Sequence, residues 1–245
     1  MWEAEVDGKK LTFHLAGINN QNFIMRDDET GSWWQQVSGE AIQGPLKGKK
    51  LVQVYNDEIT FALWQRENPQ GRVLKPDERV KQNYEAADWE EQYANLKVVT
   101  PVDPNDKLKP RALLAGLSLN GKAVAYPMSA LQKQRLILDE ISGGGNTLPL
   151  FLALGDDDKS VRAFERKVDG HTLEFFLKAG SKPVAFIDAE TATTWDFEGK
   201  AISGRLAGKQ LKKILALKDY WFDWKIYHPD TAVYTLEQRL PQAKP

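Results

Sequence analysis

Apolar and polar residues alternate through Val6-Asp7-Gly8, Leu11, Phe13 and Leu15, with an Asp-Gly pair at the point where the chain would turn back. That is the pattern of two short strands joined by a two-residue turn. It returns late in the chain as Val168-Asp169-Gly170, Leu173, Phe175 and Leu177. In the later copy Val184-Ala185-Phe186-Ile187 leads through an acidic turn to Thr193-Thr194-Trp195, a second hairpin. The earlier copy has Asp28-Glu29-Thr30-Gly31 there, with Gly where a positive φ is expected. Phe61 and Trp64, like Trp221 and Trp224, stand three apart, on one face of a short helix stopped by Pro69 or Pro229. Each copy reads as strands followed by an aromatic helix, so the fold class is α+β.

The two copies keep register over a domain's length. Asp27, Glu29, Thr30 and Trp34 match Asp188, Glu190, Thr191 and Trp195, and the run from Gly39 to Leu51 matches that from Gly199 to Leu211. Trp64, Pro69 and Val73 match Trp224, Pro229 and Val233. This period is far longer than that of a solenoid repeat. It predicts two homologous units of antiparallel strands plus short helices, related by a pseudo-twofold axis. The first unit covers residues 1–75, a charged helical linker 76–107, and the second unit 108–245. Only five residues precede Val6 whereas about sixty separate Leu108 from Val168, so the first unit is expected to be either a half-unit or N-terminally incomplete.

In the linker, Val80, Tyr84, Trp89 and Tyr93 fall at roughly helical spacing within a charged stretch, and residues 101–106 form a breaker-rich loop. The second unit opens with a hairpin at Asn120-Gly121. A helix is expected over 129–141, closed by Gly143-Gly144-Gly145, and then an apolar strand over 148–154.

Composition alters this picture little. Hydrophobic residues make up 42% and charged residues 27% of 245, as in a globular protein. A formal net charge of -1 gives no field to steer nucleic acid. No stretch approaches the ~20 apolar residues of a membrane helix, and the acidic N-terminus is not that of a signal peptide. The absence of cysteine removes disulfides, thiolate catalysis and thiolate zinc sites.

Candidate chemistry is sparse. His14, His171 and His228 lack metal-ligand spacing, so no metal and no cofactor is expected. Asp27, Asp28, Glu29 and their counterparts could serve acid–base hydrolysis, but Asp and Glu ahead of Thr are common turn residues, and their recurrence in both units favours a structural role. Trp34, Trp64, Trp195, Trp221 and Trp224 occupy periodic or repeated positions and are expected in cores. Trp33 differs: it points away from Trp34, and its counterpart is Thr194. With Asn20, Asn22, Gln35 and Gln36 it forms a polar, aromatic set confined to the first unit, suited to a polar uncharged ligand.

Asp28 to Gln36, Gly39-Glu40-Ala41-Ile42, Gly44-Pro45-Leu46-Lys47-Gly48, Ala125-Tyr126-Pro127 with Leu131, and Trp224 with His228 to Thr231 resemble the bacterial and archaeal domain-of-unknown-function family 3179. The resemblance implies an extracytoplasmic (periplasmic or extracellular) protein. It also implies a Cys-x-x-Cys motif ahead of the Val-Asp-Gly hairpin, where this chain has Leu152 to Asp158 and no cysteine. Two functions follow as expectations. The first is a non-enzymatic binding or scaffold module that takes a polar ligand or a protein partner through its first unit. The alternative is a hydrolase using the acidic turn. A shallow aromatic groove would favour the first. A buried carboxylate of raised pKa in a cleft between the units would favour the second.

Overall fold

The computed structural model describes residues 1–19, 22–101 and 103–236. The chain is mixed α+β, mostly antiparallel sheet with a few short helices. It begins with the hairpin β1 (Glu5–Val6) and β2 (Lys9–Lys10), whose turn residues Asp7 and Gly8 both have positive φ, 50° and 75°. A meander follows: β3 (Phe13–Asn19), β4 (Asn22–Asp27), β5 (Trp33–Gln35) and β6 (Glu40–Gln43), paired in sequence order. Helix α1 (Phe61–Glu67) is capped by the Thr60 hydroxyl, which accepts from the Leu63 amide.

Within residues 76–107 the chain forms a 3-10 segment over Glu78–Asn83 and then α2 (Trp89–Asn95), separated at Tyr84 by extended backbone. Neither piece buries a residue, and a helix with no packed apolar face gains little beyond its own propensity.

The chain then adds β7 (Leu113–Leu119), β8 (Lys122–Pro127), α3 (Met128–Gln134), β9 (Leu136–Gly143), β10 (Asn146–Leu154) and β11 (Val161–Glu165). The helix expected over 129–141 thus stops at Gln134. Arg135 takes a left-handed C-cap, φ 62°, and the next eight residues pair with β10. Gly144 and Gly145, at φ 56° and 81°, make the two-residue hairpin turn between β9 and β10 and not a helix end. Next come β12 (Lys167–Val168), β13 (His171–Thr172), β14 (Phe175–Leu177), β15 (Ala185–Asp188), β16 (Thr194–Asp196) and β17 (Ala201–Ser203). The chain continues through β18 (Lys213–Ile214), β19 (Leu217–Tyr220), α4 (Trp221–Tyr227) and β20 (Ala232–Val233). The larger sheets run β18-β11-β10-β9, β14-β15-β16-β17 and β19-β7-β8-β20, with β20 parallel to β8.

The main aromatic core lies between β14–β17 and the sheet above it. Phe151 packs against Phe164, Phe175 and Phe186 with ring centroids 5.2, 4.6 and 5.4 Å apart. Leu63 of α1 joins this core, so the first helix packs into the same interior as β10, β11 and β14–β17. The β3–β6 sheet has a smaller core around Trp34, Val6, Leu11, Ala41 and Leu51. On the face shared by Met25 and Trp34, the outer residues Leu15, Ile18 and Phe23 are exposed by 60, 67 and 47%.

Candidate ligand site

The acidic turns are rigid structural knots. Asp27 is fully buried, and its carboxylate accepts from the Thr30 amide (2.5 Å), the Thr30 hydroxyl (3.0 Å), the Ser32 amide (3.1 Å) and the Trp34 indole (2.8 Å). Burial opposes its ionisation, but these donors outweigh that and hold its pKa below the usual value. Asp188 repeats the arrangement with the Thr191 amide and hydroxyl and the Trp195 indole at 2.9 Å. Glu29 accepts from the Thr12 amide, and Glu190 from the Glu174 amide. A carboxylate saturated by donors inside a tight turn has no lone pair free for a substrate.

The first-unit polar set is only partly assembled. Strand alternation and the pairings Ile24↔Gln35 and Arg26↔Trp33 put Asn22, Trp33 and Gln35 on one face of the sheet. Gln36 is exposed in the turn after β5, and its carbonyl accepts from the Trp2 indole at 2.6 Å. Asn20 lies outside the described residues. The Asn22 amide donates to both oxygens of Asp223 on α4, at 2.6 and 2.7 Å. Trp33 stands 37% exposed, outside the lining of the cleft described next.

That cleft, of about 370 Å³, lies between the β3–β6 region and the β7, β19 and α4 region. Trp2, Gln35, Ser38, Lys50 and Gln53 line it from one side. From the other come Ser118, Leu217, Trp224, Tyr227 and His228. No carboxylate of the described residues lines it. His228 stacks on Trp224 with ring centroids 3.9 Å apart, and burial lowers its pKa, which favours the neutral imidazole. Gly116 also borders the cleft, where a Cβ would collide with the Trp224 ring at 2.3 Å. His14 pairs with Asp28 at 2.9 Å on the opposite edge of β3–β4. Among the described residues no three His, Asp or Glu side chains gather as a metal site.

Two ionic clusters escaped sequence reasoning. Arg162, its side chain only 2% exposed, forks onto Glu67 at 2.6 and 2.8 Å and onto Asp57 at 2.8 and 3.0 Å. These bonds tie α1 to β11. The second cluster is Asp219 at the end of β19 and Asp223 in α4, four residues apart. Burial, then the charge of Asp223, push the Asp219 carboxyl up to about 8; Asp223 is itself raised, chiefly by burial. The four-residue spacing was visible, but nothing in the sequence indicated that a strand end and a first helical turn would bury both.

An α+β chain of antiparallel meanders with short aromatic helices is the class that fold and site define. Residues 1–231 match the family described as a protein of unknown function, DUF3179, and the chain belongs to that family. Neither the curated proteins nor the solved structures yielded a match. No described helix is long and apolar enough to cross a membrane.

Proposed function

We propose that the chain is a binding module that holds a polar, uncharged ligand in the cleft between its two units. The supporting observation is the lining: amides of Gln35 and Gln53, hydroxyls of Ser38, Ser118 and Tyr227, and the rings of Trp2, Trp224 and His228, with the Lys50 ammonium and no carboxylate of the described residues. Amides and hydroxyls both donate and accept, which suits a ligand rich in hydroxyl or amide groups, and the rings cover its apolar faces. Of the expected set, Gln35 is the contact residue and Asn22 sets the position of α4 through Asp223. Titrating neutral mono- and disaccharides while following the indole N–H resonances of Trp2 and Trp224 tests this. Saturable shifts of both support it, and unmoved resonances across the series count against it.

Duplication supports the role. The matching Asp27 and Asp188 networks fit two units that arose by duplication and are related by a pseudo-twofold axis, with a cleft formed where they meet. A role outside the cytoplasm rests on the family resemblance, and fractionation of the producing cells tests it. A hydrolytic role would have to rest on Asp219 and Asp223, because Asp27 is committed to its turn.

A second reading, a scaffold for a protein partner, is favoured by the β3–β6 sheet. In the second unit Phe175 and Phe186 are covered by Phe151 of the sheet above, whereas Leu15, Ile18 and Phe23 are exposed. The occupant this face suits is a β-sheet layer presenting aromatic side chains, as β10 does.

A further inference from the structure

A second cleft, of about 840 Å³, opens between α2 of the linker and β19. Its α2 wall is aromatic. Trp89 and Tyr93 lie four residues apart and meet edge to face, with centroids 5.7 Å apart and planes at 80°. They are 44 and 43% exposed and belong to none of the hydrophobic cores. Asp219 and Glu58 line the same cleft from β19 and from the segment ahead of α1.

Its cations already have partners. Lys218 pairs with Glu58 at 3.1 Å and Lys159 with Glu90 at 3.3 Å. The Arg111 guanidinium lies over the Tyr220 and Phe222 rings and donates to the Leu96 carbonyl at 2.9 Å. Carboxyl groups outnumber cations in the lining, because Asp88, Glu91 and Asp158 also border it. Asp219 accepts from the Tyr220 amide at 2.7 Å, and its further hydrogen bond is with another carboxyl, that of Asp223. The cleft therefore joins two elements of cation recognition: exposed ring faces and a carboxyl group without a cationic partner among the described residues.

We propose that this cleft binds a small primary amine as its ammonium ion, with the Trp89 and Tyr93 rings covering the carbon chain and Asp219 accepting the N–H bonds. This goes beyond the ligand of the inter-unit cleft and does not depend on it. A linked signature follows. With Asp219 pushed up to about 8, its carboxyl is largely protonated at neutral pH, and an arriving cation favours the ionised form, so binding expels a proton. The groups acting on Asp219 are Asp223 from α4, the Tyr220 amide and Glu58 from the segment ahead of α1, while Asp219 acts on Tyr227 and Lys218 of its own strand lines the same cleft. Lys159 and Arg111 line the same cleft from neighbouring loops.

The test is calorimetric titration of the full chain with 1,4-diaminobutane near pH 6.5, at about the neutral end of the Asp219 range, in two buffers of different ionisation heat. Saturable binding is expected, with about one proton released per ligand. Asp219→Asn keeps the shape of the pair and should abolish the proton release while weakening binding roughly tenfold. Trp89→Ala should weaken binding roughly fivefold, and Gln35→Ala should leave it unchanged. Absence of saturable heat from a folded chain would overturn the proposal. So would binding that both cleft variants leave intact, or equal binding of uncharged 1,4-butanediol.

Discussion

Asn22 and Asp223 are 201 residues apart, yet the Asn22 amide donates to both Asp223 oxygens, at 2.6 and 2.7 Å. The bond joins β4 to α4. Asn22→Ala removes two of the hydrogen bonds to a half-buried carboxyl, leaving it the bond with Asp219, and should cost about 1–3 kcal/mol. Urea unfolding of the variant checks this. Asn22→Asp should cost more at pH 8 than at pH 5, because it adds a third carboxyl to the pair.

Asp219 makes stability pH-dependent in a direction opposite to that of most carboxylates. Its folded pKa of about 8 lies above the unfolded value, so the folded state holds the extra proton and its contribution is lost as pH rises towards 8. Asp157, lowered to about 2, acts the other way and loses its contribution only in acid. Asp219→Asn should therefore flatten the fall in stability between pH 5 and pH 7, a change on the order of 2 kcal/mol. Unfolding curves at both pH values measure the difference.

Arg162 holds two carboxylates in a nearly dry site. Arg162→Ala strands Asp57 and Glu67 and should destabilise by about 3–5 kcal/mol. Arg162→Lys should recover only part of that, because an ammonium cannot fork onto Glu67. Denaturant titration of both variants reads the order.

The two acidic turns should respond alike to loss of an indole donor. Trp34→Phe and Trp195→Phe each leave a buried carboxylate short of one bond, costing about 1–3 kcal/mol apiece, beyond the effect on packing. Similar losses by thermal unfolding would support a shared structural role. Loss of function without loss of stability in either variant would contradict it.

The exposed face of β3–β4 should tolerate polar substitution. Phe23→Ser and Leu15→Ser remove side chains that water already reaches, so each should change stability by less than about 0.5 kcal/mol. Both should reduce binding of a hydrophobic dye, read by fluorescence.

Where local chemistry decides, the sequence was informative. Asp7-Gly8, Asp169-Gly170 and Asn120-Gly121 all became hairpin turns with positive φ, because few residue pairs adopt that backbone at little cost. The buried indoles of Trp34 and Trp195 were legible from their repetition. The stretch after Gln134 was misread because a short apolar run fits helix and buried strand equally, and only its pairing with β10 decides. The site was less legible. Of the expected set Gln35 lines the cleft, and Gln53, Ser118 and His228 reach it from distant segments. Asp219, Asp223 and Arg162 gain their character from burial at contacts between elements, which no local pattern encodes.

The most direct test of the central claim is a thermal-shift titration of the chain and of Gln35→Ala with neutral mono- and disaccharides, using nucleotides and organic acids as charged comparators. A ligand held by the folded state raises Tm as its concentration passes Kd. The predicted result is a dose-dependent rise with a neutral sugar that Gln35→Ala abolishes. A rise confined to charged compounds, a rise that Gln35→Ala leaves untouched, or no rise with any sugar would contradict it.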